Sequence, residues 1–422
     1  MQPYEYLLAK WPHRYNGIAV TWDDRGREKK MQVAGRIIID TDSFNCYSPY
    51  PIRHVKKWKP KDIDNLNGYQ SLNGDEVDCH NSGDPPRVKL SPHYQMLCRN
   101  RVRGYSLKQK EWLDFFVELV AEIEWNTKAF DSLVLPPAQK ELILTLSESQ
   151  LANQQVFDDV IQGKGKGINI LLSGPPGTGK TLTAEAVAEK MRVPLHAISF
   201  ADLGPRYAWA ESRLEEILGL VTRWKAILLL DECDVFLERR SADDLNRNTI
   251  VSAFLRTIEY YEGIMFMTTN RAANIDDAFK SRTHLSLEYP DLDEKSRRQI
   301  WSNLLKASTL PHELSEQDLD ELAQEPVNGR QIKNMMKMAR LLAAGKKEPL
   351  KRRFINTIIH PEEWWFNATD VSGKAATSSA EQGQPAHSGK PEPSSKNKEM
   401  SEKSQDDCGI SQEPARKKRR RR

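Results

Sequence analysis

Chemistry is concentrated in one unbroken run: Gly174, Pro175, Pro176, Gly177, Thr178, Gly179, Lys180 and Thr181. The run fits G-x-x-x-x-G-K-[ST], and each residue type in it has a physical task. Glycine lets backbone N–H groups approach an anion with no Cβ in the way. Those groups and the helix N-terminus behind them form a concave anion site. Lys180 would reach the outer phosphates of a nucleoside triphosphate as a point charge, and the Thr181 hydroxyl would face Mg²⁺. Splitting the triphosphate needs an acidic metal ligand and a group that places water. Asp231 and Glu232, at the end of the apolar run Ile227 to Leu230, supply both types. Asp231 is the expected Mg²⁺ ligand, and Glu232 the group that polarises the attacking water. Asn270, at the tip of the run Ile264 to Thr269, could hold that water against the γ-phosphate. Arg282 is a candidate transition-state cation. Cys233 has no histidine near it in sequence and reads as a packing residue.

The elements around these residues must bring them to one place. An apolar run, Ile168 to Leu172, precedes the glycines, and a helical pattern from Leu182 to Met191 follows. Further apolar runs are Leu195 to Ser199, Ile227 to Leu230, Ile264 to Thr268 and His284 to Leu287. Helical patterns separate them: Ser212 to Trp224, Asn248 to Tyr260 and Asp276 to Ser281. Strand and helix in alternation predict an α/β core, residues 157–290, with a parallel five-stranded sheet covered on both faces. Its ligand should lie at the strand-end loops of one edge. After Pro290 the strand signals stop. Amphipathic patterns at Lys295–Lys306, Glu316–Ala323 and Gly329–Ala344 predict a C-terminal helical lid over residues 291–369, closed by the indoles of Trp364 and Trp365.

Before the core, residues 1–104 read as a mostly β N-terminal domain. Short strands fall at Ile18–Trp22, Met31–Val33 and Gly35–Asp40, broken by Asp-Asp-Arg-Gly. No catalytic constellation appears there, and recognition or docking is its expected role. Residues 105–156 read as a linker. Phe115 to Trp125 alternates with period two and predicts a strand, and Pro136-Pro137 opens a helix from about Ala138 to Ser149. Residues 370–422 are almost without apolar side chains, and such a segment is expected to stay disordered. It carries twelve of the 62 Lys and Arg but eight of the 59 acidic residues, ending in Arg416-Lys-Lys-Arg-Arg-Arg-Arg422. The chain's net +3 therefore belongs to the tail, and the rest is near neutral. That balance argues against an extensive nucleic-acid surface except through the tail. The tail's end fits a nuclear-import signal or a polyanion contact. No run approaches the roughly 20 apolar residues of a membrane span, and the N-terminus lacks a signal-peptide layout. Five sparse cysteines form no C-x-x-C pair and match no zinc template. A soluble intracellular protein without a membrane partner is expected, with cytoplasm and nucleus both open.

The order of features resembles the AAA (AAA+) ATPases: P-loop, Asp-Glu strand, Asn-tipped strand, arginine and helical lid. The resemblance covers about Phe157 to Leu342. Several strings resemble more closely an uncharacterised fungal group of AAA proteins with its own N-terminal domain. They are Phe157-Asp-Asp-Val, Gly163-Lys-Gly-Lys-Gly167, Leu228-Leu-Leu-Asp-Glu232, Phe254-Leu-Arg256 with Glu259-Tyr-Tyr261, and Thr268-Thr-Asn-Arg271. Arg103-Gly-Tyr-Ser-Leu107 with Trp125-Asn126 looks like that group's lead-in. The resemblance implies that residues from Gly174 to Leu182 hold the nucleotide. It implies that Asn270 is a sensor, that Arg330 is a lid sensor arginine, and that Arg282 enters a neighbouring subunit's site. A homo-oligomeric ring, usually of six, follows from the last. The loop Arg206-Tyr-Ala-Trp-Ala-Glu211 departs from the aromatic–small–glycine pore pattern of threading motors, although Tyr207 or Trp209 could still grip a substrate.

ATP and Mg²⁺ are the expected cofactors, and a protein or protein complex the expected substrate of an ATP-driven remodeller. A guanine-reading Asn-Lys-x-Asp motif does not follow the P-loop in the core. Two other classes stay open: a slowly turning nucleotide-dependent scaffold, and a nucleic-acid-associated motor.

Overall fold

The alternation of Ile18 to Trp22 and Met31 to Ile39 around a polar turn builds a long antiparallel hairpin, β1 (Pro12–Trp22) and β2 (Glu28–Ile39), in register from Pro12↔Ile38 to Trp22↔Glu28. In the turn, Asp23 accepts backbone hydrogen bonds from Arg25 and Arg27, and Gly26 takes a positive φ. The structure, a computed structural model, describes residues 12–48, 100–152 and 165–359, apart from 24, 204–206, 238–244, 272–274 and 309. The expected tail, the Trp364–Trp365 closure, the Phe157-Asp-Asp-Val string and the first two residues of the Gly163–Gly167 string lie outside the described residues.

A short helix, α1 (Thr41–Tyr47), follows β2 and is capped by Asp40. The hairpin is joined by β3 (Arg101–Ser106), β4 (Glu111–Phe116) and the two-residue β5 (Val120–Ala121). β1 pairs with β2 and β4, and β3 bridges β2 to β4, so the ring of four strands closes into a small barrel. Tyr15, Val33, Ile37, Leu113 and Phe115 fill its interior. The sheet thus runs past residue 104, to Ala121.

Sequence alternation predicts one strand from Phe115 to Trp125, and here the chain differs. β4 ends at Phe116, a 3₁₀ turn occupies Val117–Leu119, and no strand continues beyond Ala121. The reason is tertiary. The Phe116 N–H donates to the Tyr15 hydroxyl at 3.2 Å instead of to a strand carbonyl. The Leu119 side chain then packs where a Cβ on Gly17 would stand. After a helical turn at Lys128–Asp131 comes α2 (Pro137–Ala152), opened by its prolines as expected.

The second sheet holds β6 (Ile168–Ser173), β7 (Leu195–Ile198), β8 (Ile227–Leu230), β9 (Ile264–Thr269) and β10 (Leu285–Glu288). Its order is β10-β6-β9-β8-β7, and every pairing is parallel. All four residues of β8 and all six of β9 are buried, the continuous apolar pattern of a sheet covered on both faces. Its main helices are α3 (Lys180–Met191), α4 (Tyr207–Arg223) and α5 (Leu245–Glu259). The lid is α6 (Glu294–Lys306), α7 (Glu316–Gln324), α8 (Gly329–Lys346) and α9 (Arg352–Ile359), around Trp301, Leu322, Ile332, Met336 and Phe354. Among the described residues no helix is long and apolar enough to cross a membrane.

The barrel and the parallel sheet share one core. Ile38, Phe44, Tyr105 and Trp112 of the barrel segment lie in the same buried cluster as Ile198, Leu218, Val221 and Trp224. Tyr105 and Trp224 rings stand 5.2 Å apart, and the Trp224 indole N–H donates to Asp40 at 2.9 Å. Each such aromatic burial contributes about 1.5–3 kcal/mol, several times what a half-exposed ion pair adds. The seam is therefore held by apolar packing, and the polar bonds set its register. His196 of β7 is sealed into it, its ring 5.6 Å from that of Tyr105. Burial, helped by the charges of Lys110 and Arg213, pushes its pKa down from 6.5 to about 4. A lowered histidine pKa means that the unfolded chain takes up the proton first. Stability from this residue is thus intact above pH 6.5 and falls as the pH drops toward 4. Over that window His196 should cost the native state roughly 3 kcal/mol. His196→Leu should flatten the decline by that amount. Equal pH slopes in urea unfolding of the two proteins would show that His196 does not titrate in this way.

Candidate nucleotide site

Parallel pairing places the C-terminal ends of β6, β8 and β9 side by side, with β9 in the middle. The loop Gly174–Gly179 leaves β6 and enters α3 at Lys180. Gly174, Gly177 and Gly179 all have φ between 80° and 137°, a region that side chains disfavour. A Cβ on Gly174 would also lie 2.1 Å from the Tyr289 carbonyl oxygen, so the turn needs glycine on two counts. At Gly179 the same direction is open space. Pro175, Pro176 and Thr178 complete the loop, Thr178 donating to the Pro175 carbonyl at 2.9 Å. Leu182, half exposed, stands on the first turn of α3.

Lys180 is folded onto its own loop. Its ammonium donates to the carbonyls of Gly174 and Pro175 at 2.7 and 2.6 Å. Burial lowers its pKa, while the charges of Asp234, Asp231 and Glu232 act against that and Arg330 acts with it. Thr181 donates to Asp231 Oδ1 at 2.8 Å, and Thr268 of β9 donates to the same oxygen at 2.7 Å. The Thr268 hydroxyl in turn accepts the Glu232 N–H at 2.9 Å, in a turn where Glu232 has φ 52° and an exposed side chain. Cys233 is buried, its thiol donating to the Thr268 carbonyl, and burial pushes its pKa up. That is the packing role expected of it.

Asn270 stands exposed at the tip of β9. Its N–H donates to Asp234 Oδ1 at 3.1 Å, and the Thr269 hydroxyl donates to the same oxygen. The lid meets the loop directly: the Gly329 N–H donates to the Gly177 carbonyl at 3.0 Å. Arg330 is the next residue, exposed, on the first turn of α8. Arg282 does not join this group. It lies by the opposite end of β6, where its carbonyl accepts from Asn169 and its guanidinium is paired with Glu259. A six-residue strand puts roughly 15 Å between those ends. Tyr207 and Trp209 fall on the first turn of α4, where only the backbone is described.

Four contributors escape sequence reading. Thr268 and Asp234 hold the strand ends. Tyr289 backs the loop, its hydroxyl 2.8 Å from that of Thr183. Asn328 caps α8 and closes on Gly177. Of these, only Thr268 stands in a string that the sequence reading quotes, Thr268-Thr-Asn-Arg271, and there without a role of its own. The loop amides and an open Gly179 fit a polyphosphate, and Thr181 with Asp231 fits Mg²⁺. Among the described residues no cluster of three or more His, Cys, Asp or Glu could hold a metal by itself. Mg²⁺ takes one or two protein ligands and completes its shell from phosphate and water.

Residues 170–291 match the profile of the ATPase family associated with various cellular activities (AAA). The chain carries an AAA ATPase domain there. It is 29% identical over 206 residues to the ATPase family AAA domain-containing protein FIGL1 of Arabidopsis thaliana, covering 46% of this chain and 30% of that protein. It is 28% identical over 216 residues to Fidgetin-like protein 1 of Caenorhabditis briggsae, covering 48% and 33%. Spastin of Drosophila willistoni is 29% identical over 213 residues, covering 47% and 26%. The matched segment is thus a third or less of those relatives' length. A crystal structure of the FIGL-1 AAA domain in complex with ADP aligns at 19% identity and a TM-score of 0.43, covering 58% of this chain and 89% of that one.

Thr268→Val should cost about 1–3 kcal/mol of stability, because it strips the Glu232 N–H of its acceptor and Asp231 of a donor. Urea unfolding reads the change, and an unaltered midpoint would mean that the strand end closes without this hydroxyl.

Proposed function

We propose that this protein binds ATP with Mg²⁺, hydrolyses it, and works as a homo-oligomeric ring, six subunits being the expectation, that remodels a protein or protein complex. The observation that carries the reading is the 2.8 Å bond between Thr181 and Asp231, which joins the end of the phosphate loop to the acidic strand end. In this reading the backbone amides of Gly174–Gly179 and Lys180 hold the phosphates, and Lys180 exchanges its loop carbonyls for phosphate oxygens. Thr181 and Asp231 hold Mg²⁺, which supplies charge neutralisation on the outer phosphates. Glu232, exposed beside Asp231, accepts a proton from the attacking water, and Asn270 orients that water. Arg330, on the lid turn bonded to Gly177, reports closure of the lid.

Arg282 is the piece that calls for assembly. It points away from its own phosphate loop and is proposed to serve the site of a neighbouring copy. The barrel, with Arg103-Gly-Tyr-Ser-Leu107 on β3 and the first residue of the turn after it, fits the fungal AAA group that the sequence resembles.

Two variants separate binding from chemistry. Lys180→Ala should weaken ATP affinity by tenfold or more, roughly 1.4 kcal/mol or above. Undiminished affinity in calorimetry would sink the phosphate-loop reading. Glu232→Gln should keep ATP affinity and lose turnover by roughly 100-fold or more. Normal turnover in that variant would assign the base to another residue.

A further inference from the structure

The barrel also meets the ATPase core through an ion pair at the β3–β4 turn. Lys110 ends the turn between β3 and β4 with φ 59°, a left-handed conformation that costs energy for a residue with a side chain. From there its ammonium crosses to Asp202 Oδ2 at 2.6 Å. The same carboxylate oxygen accepts the Ser199 N–H at 2.6 Å and the Ser199 hydroxyl at 2.8 Å. Ser199 is the residue after β7, and the carbonyl of Ile198 just before it accepts the Asp231 N–H at 3.0 Å. Asp202 itself sits on the 3₁₀ turn Phe200–Leu203, which leads toward α4. Burial works against the Asp202 carboxylate, but Lys110 and Ser199 outweigh it and hold its pKa below the usual value.

We propose that Lys110 is a positioning residue for ATP turnover: through Asp202 and Ser199 it fixes the end of β7 and, with it, the backbone that carries Asp231. The inference rests on the ATPase reading. It assigns the barrel a place in the catalytic unit, beyond any docking role. The two side chains are 29% and 26% exposed, so solvent still screens the pair and limits what it adds to global stability. Its geometry serves the strand end. Anything that shifts the β3–β4 turn is then felt at the Mg²⁺ ligand, which gives a barrel-bound partner a mechanical route to the ATP site. Lys110→Arg preserves a donor to Asp202, whereas Lys110→Met keeps the stem and removes the charge.

The test uses the full chain and two readouts. In Lys110→Met, amide hydrogen exchange at residues 198–203 and at Asp231 should speed up, with the unfolding midpoint near wild type. The kcat for ATP should fall about fivefold or more while KM stays within about twofold. Lys110→Arg should recover most of both. A double-mutant cycle with Asp202→Asn should be non-additive in kcat. Unchanged exchange at those amides overturns the proposal whatever the activity. Faster exchange with wild-type kcat also overturns it, since the strand end would then be loosened without effect. A wild-type protein with no turnover removes the ATPase reading, and the role assigned to Lys110 falls with it. Should Lys110→Met fail to fold, Asp202→Asn alone must show the exchange and kcat changes, and its failure to do so overturns the proposal.

Discussion

One carboxylate oxygen organises the site. Asp231 Oδ1 accepts hydrogen bonds from Thr181 at the end of the phosphate loop and from Thr268 on the central strand. Because β9 lies between β6 and β8, Thr268 is the residue that can reach across. Its hydroxyl donates to Asp231 and accepts from Glu232, so one buried side chain sets both acids. Asp231 is half-buried, and these donors offset the desolvation that its carboxylate bears there. The two strand ends and the loop are thus joined by hydrogen bonds within the chain.

The second constraint is the shared core. The barrel buries Phe44, Tyr105 and Trp112 against the face that carries α4 and Trp224. It also reaches the far end of α3, where Glu189 accepts from Arg36 at 2.5 Å and from the Asn126 N–H at 2.9 Å. The helix that starts at the phosphate loop is therefore gripped at its other end by the N-terminal segment. Barrel, phosphate helix and acidic strand make one mechanical body, with the lid joined at Gly177.

Much of this was legible in the sequence, and the reasons differ by residue. Gly174 to Thr181 and Asp231-Glu232 stand in short local patterns whose spacing is the chemistry. The five core strands read as apolar runs because a parallel sheet is buried on both faces. The role of Thr268 did not stand out even within Thr268-Thr-Asn-Arg271, since a threonine in Ile264–Thr269 looks like any β-branched strand residue. Lys110 could not be read, because its partner lies 92 residues away across a domain seam. The strand expected at Phe115–Trp125 broke for a tertiary reason: Tyr15 takes the Phe116 N–H, which no period-two pattern reveals. Closure of the barrel was hidden likewise, since β1 meets β4 only through the fold.

What the single chain leaves apart is Arg282, held by Glu259 at the end of the sheet away from its own phosphate loop. In the proposed reading, Arg282 completes the site of a neighbouring copy. The decisive measurement is specific ATPase activity against protein concentration, for wild type and Arg282→Ala, with mass photometry of the same samples. Activity that rises as wild type assembles, and that is lost in an Arg282→Ala protein which still assembles, is the expected result. Activity independent of both concentration and Arg282 would mean that each subunit turns over alone and that the shared-site ring is wrong.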